Sequence, residues 1–295
     1  MRRWMVAALA GCCVTGTLAV ATAARPAQAL TLHTVEDTSA TNSISVKSVQ
    51  AVCPAGTVLY GGGARIVGGG EYVTFLLLQP TIFPTVSGYS AVAMESPLTA
   101  GEDYPESWSV HVYARCGTGL SGVQVVSAFG TANNRSPSQY QVKATCPQGK
   151  VVLGGGFSSS YISVPVHWIR PVDDGTAIQA VIHEDAFNYA FASDPVTVGA
   201  YAICATTPAG WLFKSQGTPP RQTNPQVVAA ECPAGEVLGG GLTMFEGNVP
   251  GAIRLTSFFP DPDGDYFAVA GGSPVFPLGR GHSFALGAWV ICASV

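Results

Sequence analysis

Cys53-Pro-Ala-Gly-Thr-Val-Leu-Tyr-Gly-Gly-Gly63 is written twice more in this chain, as Cys146-Pro-Gln-Gly-Lys-Val-Val-Leu-Gly-Gly-Gly156 and Cys232-Pro-Ala-Gly-Glu-Val-Leu-Gly-Gly-Gly241. Each copy opens on Cys-Pro-x-Gly, crosses a short apolar stretch and ends in a glycine triplet. The second cysteine of each copy falls at 116, 204 and 292, in equal steps of 88 residues. The match extends upstream through His33 to Cys53, Val123 to Cys146 and Trp211 to Cys232. The repeats are therefore placed at 30–117, 118–205 and 206–295, after a leader at 1–29.

The leader has the form of a secretion signal: Arg2 and Arg3, an apolar run from Trp4 to Ala24, then the small-residue site Ala27-Gln28-Ala29. Leu9-Ala10-Gly11-Cys12 offers an alternative, a lipoprotein box that would anchor the chain at Cys12. Its apolar run is short and apolar residues continue past it, so free secretion is the preferred reading. No later stretch is long enough to span a bilayer. Cleavage after Ala29 removes Cys12 and Cys13 and leaves six of the eight cysteines. In an exported chain without a CxxC pair, these point to disulfides rather than metal thiolates. One pairing keeps the three units equivalent: Cys53–Cys116, Cys146–Cys204 and Cys232–Cys292. Loops of about 60 residues would each disfavour the unfolded chain by roughly 4 kcal/mol. Charged residues make up 11% of the chain and hydrophobic ones 47%, which excludes disorder. A formal charge of −4 lacks the basic footprint of a nucleic-acid binder.

The strand before each second cysteine has a clear period of two. Trp108, Val110, Val112, Ala114 and Cys116 share one face, as do Val196, Val198, Ala200, Ala202 and Cys204, and Phe284, Leu286, Ala288, Val290 and Cys292, and each row is directed at a core. Further strands are expected at Thr74 to Leu78, Tyr89 to Met94, Ile162 to Ile169, Thr176 to His183, Leu255 to Phe259 and Tyr266 to Ala270. Arg170 to Gly175 and Pro260 to Asp265 are read as turns. No helical period is sustained, so the fold is all-β. Three tandem β-sandwich domains would be one arrangement. The corner tyrosine of immunoglobulin-like domains sits two residues before the second cysteine, whereas Tyr113, Tyr201 and Trp289 sit three before it, and linkers are absent. The other arrangement is a single pseudo-threefold body in which each unit supplies one sheet. On Cys53 to Gly63, Cys146 to Gly156, Cys232 to Gly241 and the closing strands, the chain resembles the vitelline membrane outer layer protein I family, which implies a β-prism. It is also similar to secreted actinobacterial proteins built on Cys-Pro-x-Gly and Gly-Gly-Gly phrases. The units here are longer than those of the prism family and lack its acidic stretch before the closing cysteine.

Candidate sites follow from the same register. Tyr113, Tyr201 and Trp289 recur on the face away from the sulfur, preceded two residues earlier by His111, Gly199 and Gly287, and are the candidate glycan-stacking rings. The glycine triplets lack the Lys-Ser/Thr of a phosphate loop and are read as points of close backbone approach. Asp261, Asp263 and Asp265 alternate like calcium ligands, but an Asp/Gly-rich turn accounts for them better. No Gly-x-Ser-x-Gly elbow is present, and the sequence calls for no cofactor. The expected function is a secreted, non-enzymatic binding or structural protein, with extracellular or cell-wall glycan as partner. The alternatives are a polysaccharide hydrolase using carboxylates such as Asp174 or Asp185 near His183, or a protease inhibitor or coat protein acting through Leu98 to Glu106.

Overall fold

The structure is a computed structural model and describes residues 29–70, 72–83, 86–95, 104–133, 139–160, 166–183, 195–221, 225–246, 253–272 and 283–294. The first repeat forms β1 (Thr31–Thr38), β2 (Val46–Val52), β3 (Val58–Val67), β4 (Val73–Ile82), β5 (Ser87–Glu95) and β6 (Ser109–Thr118). The second forms β7 (Gln124–Ala132), β8 (Gln139–Thr145), β9 (Lys150–Ser159), β10 (Val166–Val172), β11 (Ala177–His183) and β12 (Val196–Thr206). The third forms β13 (Leu212–Gly217), β14 (Gln226–Glu231), β15 (Glu236–Glu246), β16 (Arg254–Pro260), β17 (Tyr266–Gly272) and β18 (Phe284–Ala293). All ladders are antiparallel, and the strands build three six-stranded sheets around a common interior, a pseudo-threefold β-prism-like body.

One expectation is corrected. A repeat does not supply one sheet; it is divided between two. The sheet orders are β1-β6-β3-β16-β17-β14 (sheet I), β13-β18-β15-β10-β11-β8 (sheet II) and β2-β5-β4-β9-β12-β7 (sheet III). Each sheet therefore takes three strands from one repeat and three from the next, which also sets aside the tandem-sandwich arrangement. The joints are narrow: Arg65 and Ala64 pair with Ser257 and Phe258, Ser158 and Phe157 with Leu77 and Leu78, Thr243 and Leu242 with Trp168 and Ile169. Pro80, Pro171 and Pro260 follow two residues after Leu78, Ile169 and Phe258. Strand groups repeat every two residues, so the missing proline N–H lies on the joint side, where it ends cross-repeat pairing without weakening the ladder within the repeat. For this reason Arg170-Pro-Val172 continues β10 instead of turning, and only Asp173–Gly175 forms the connection. The first part of the strand expected from Ile162, up to Pro165, lies outside the described residues.

Each glycine of a triplet has its own neighbour. The first ones converge: a Cβ on Gly239 would lie 3.1 Å from the Cα of Gly154 and 3.3 Å from that of Gly61. A β-bulge at Tyr60, Leu153 and Leu238 precedes each of them. The second glycines lie under Tyr89, Ile178 and Phe267, side chains of the same repeat that arrive from the adjoining sheet. The third ones, Gly63, Gly156 and Gly241, face the carbonyls of Phe258, Leu78 and Ile169 too closely for any side chain. They make the joints between repeats. The inward rows ending at Cys116, Cys204 and Cys292 are fully or almost fully buried, as their alternation requires.

The three disulfides are Cys53–Cys116, Cys146–Cys204 and Cys232–Cys292. Cys53 follows β2 in sheet III and Cys116 lies on β6 in sheet I, so the bond ties together the two halves of one repeat across the corner between sheets. The other two bonds do the same.

Candidate functional site

The recurring aromatics lie on the outer faces of the sheets, opposite the sulfurs, but two of the three are covered. Tyr113 is 1% exposed and Tyr201 6%; Trp289 is half-buried. Tyr113 and Phe259 close over Gly63 from either side, stacked with centroids 4.9 Å apart. Tyr201 donates or accepts at the Ser158 hydroxyl, 3.2 Å away, and meets the edge of Phe129. Trp289 donates from Nε1 to Thr243 Oγ1 at 2.9 Å and lies against Phe213. All three flank the third glycine of a triplet, so their common role is to cover backbone that the glycine leaves bare at a joint. Burial pushes the Tyr113 hydroxyl up to about 12, against the opposing pull of Arg65. The space that Gly199 leaves beside Tyr201 is occupied by the ring of Phe129, itself 60% exposed.

The joint on sheet I opens into a groove. A hollow of about 310 Å³ is lined by Arg65, Val227, Ala229, Ser257, Phe259, Tyr266, Ala268 and Ala270. It exists because the residues here are small. At the position of Ser257, sheets II and III carry Trp168 and Leu77. At those of Ala268 and Ala229, they carry Gln179 and Lys143, or Ser90 and Gln50. The groove thus has an alanine floor, ring walls from Phe259 and Tyr266, and one cation at its head. The Arg65 guanidinium stands 5.8 Å from the ring centres of both Tyr113 and Phe259, within cation–π range. Its Nε is buried without a hydrogen-bond partner. None of these residues was singled out by motif, since outer-face positions differ from copy to copy. The signal that could have found them is a comparison of those positions across the three repeats.

Sheet II fills the same place with a ladder. Arg170 lies 4.2 Å from the Trp168 ring centre and donates to Gln179, whose Nε2 donates to Gln141 at 2.7 Å. Elsewhere, Asp261 to Asp265 forms a hairpin turn: Gly264 N–H donates to the Asp261 carbonyl at 2.9 Å and Asp263 N–H to Asp261 Oδ2 at 3.2 Å. Among the described residues no three His, Cys, Asp or Glu side chains converge on a metal position. Asp174 sits in the turn after β10 with φ 55°, and His183 stacks on His167. Glu184 and Asp185, together with Leu98 to Asp103, lie outside the described residues. A second hollow, about 420 Å³, lies where the inter-repeat links meet at Leu30, Leu120 and Pro208. No helix among the described residues is long and apolar enough to cross a membrane, and the three disulfides are compatible with an extracellular protein.

Compared with protein-family models and with curated proteins, the chain matches none of either.

Proposed function

We propose that the protein is an exported, non-enzymatic binding protein whose ligand is an extracellular or cell-wall glycan, held in the groove on sheet I. One observation supports this reading above the rest. The inner frame of glycines, cysteines and prolines is written three times, yet one outer face alone combines Ser257, Ala229 and Ala268 between two aromatic walls, where the others carry Trp168, Lys143 and Gln179, or Leu77, Gln50 and Ser90. Sugars present apolar C–H faces and a rim of hydroxyls, which suits ring walls beside Ser257 and the Tyr266 hydroxyl. The burial of Tyr113 and Tyr201 replaces the idea of three equivalent stacking rings with a single site.

Retention on insoluble cell-wall and extracellular polysaccharides tests the reading. Tyr266→Ala is expected to weaken binding about tenfold, which is about 1.4 kcal/mol. Phe129→Ala, an exposed ring on sheet III, should leave it unchanged. A protein that no polysaccharide retains, or a Tyr266→Ala variant that binds as well as the parent, overturns the assignment.

A further inference from the structure

We infer that the glycan held in this groove is acidic, and that Arg65 recognises a uronic-acid carboxylate on it. The inference rests on the glycan reading above and adds the charge of the ligand. Three ion pairs connect described residues: His111 with Glu36, Arg115 with Glu236, and Lys143 with Asp173. The first two use up Glu36 of sheet I and Glu236, which reaches Arg115 of sheet I from sheet II. Arg65 is left as the cation of the outer face of sheet I with no acid and no hydrogen-bond acceptor among the described residues. It is held in place from below by the stacked rings of Tyr113 and Phe259, so its planar fork is already ordered before a ligand arrives. A guanidinium in this state matches a carboxylate in geometry and charge better than it matches a hydroxyl.

The remaining charges on the face set the direction of the ligand. Asp261, Asp263 and Asp265 lie beyond Tyr266, at the far end of the groove. Asp261 directly follows β16, four residues after Ser257, about 13 Å at the rise of an extended strand. Its Oδ2 accepts from its own turn. A carboxylate is therefore favoured at the Arg65 end and disfavoured near Tyr266, which leaves that end for hydroxyls. The equivalent positions of Arg65 are Ser158 on sheet III and Thr243 on sheet II, so neither of the other faces repeats the feature.

Titration calorimetry with oligogalacturonate, its methyl ester and a neutral galacto-oligosaccharide of equal length tests this on the full exported chain. The acid should bind at least about tenfold more tightly than the ester, with a preference that shrinks as salt rises. Arg65→Gln should bring the acid down to the level of the ester while the ester itself binds as before. Ser257→Trp, which copies the Trp168 of sheet II, should fill the groove and remove binding of both. Equal affinity of the parent protein for acid and ester overturns the inference and leaves the glycan reading standing. So does a preference that survives in Arg65→Gln. If the parent binds none of the three and no wall polysaccharide, both readings fail. The parent's own comparison of acid with ester decides even if a variant folds poorly.

Discussion

A methyl group on Gly61 would lie against the carbonyl oxygen of Leu238 and 2.7 Å from the Cα of Gly239, both main-chain atoms of another repeat. Rotation of a side chain cannot relieve that overlap, so the central strands would have to separate. Gly61→Ala should therefore cost about 3 kcal/mol, near the upper end for overpacking. Gly217 on the edge strand β13 provides the contrast, since its nearest neighbour would stand 3.6 Å from an added Cβ. There the same change should be neutral or stabilise by about 0.5 kcal/mol, through the unfolded chain. Urea midpoints of the two variants check both signs, and equal midpoints would remove the special status of the triplets. The sequence was informative here up to a point. Three glycines in a strand announce close approach, but not what approaches. The neighbours of Gly61 and Gly63 come from other repeats, and no spacing within one repeat discloses them. The same limit explains Tyr113. Its register placed it opposite the cysteine correctly, as it did Tyr201 and Trp289, while Phe259, the ring that covers it, stands across a joint; Phe129 and Phe213, against Tyr201 and Trp289, belong to their own repeats.

Among the strands, β10 departs most from its counterparts in a way that bears on pH. His167 occupies its bulge, where β4 has Leu76 and β16 has Thr256. The imidazole is completely buried, stacked on His183 of β11 with centroids 4.0 Å apart, and Arg254 of β16 is close enough to act on it. Burial first, then the neighbouring His183 and Arg254, hold His167 well below the ordinary value of 6.5. Burial lowers His183 as well. A depressed histidine binds fewer protons in the folded state than in the unfolded one, so stability rises with pH across the interval between the two values. Stability is then complete above about pH 7 and declines as the pH falls through 6.5 toward the folded-state value. One fully buried imidazole contributes a slope of at most about 1.4 kcal/mol per pH unit. Urea denaturation at pH 8 and pH 5 should show a larger loss for the parent than for His167→Leu, which restores the residue type of β4. Identical losses would sink the assignment of the acid sensitivity to this pair. At this scale the alternation of apolar residues foretold β11 and β17 closely. The end of β10 was misplaced because Pro171 reads as a turn residue until one sees that its missing N–H faces a joint.

At the scale of the molecule, the division of each repeat between two sheets is the property that no reading of one chain could reach. Aligned copies look the same whether the third strand of a repeat pairs with its own fourth or with the fourth of the preceding copy, taken cyclically. The sequence symmetry is satisfied by both, and only the collision of Gly63, Gly156 and Gly241 with carbonyls from other repeats selects the second. The consequence is cooperative. Removing the second repeat would strip β7, β12 and β9 from sheet III and β10, β11 and β8 from sheet II, exposing the joints of both. A single repeat has neither a complete sheet nor a closed interior, and its disulfide bridges halves that need neighbours on both sides. Calorimetry of the oxidised protein should therefore show one transition, with van't Hoff and calorimetric enthalpies in agreement. Residues 118–205 expressed alone should lack the cooperative melt of the whole chain. Reduction of the three bonds should lower the midpoint without splitting the transition, because the joints remain. Three resolved transitions, or an isolated repeat that melts cooperatively, would show that the copies fold as separate units and that the shared sheets are not the source of stability.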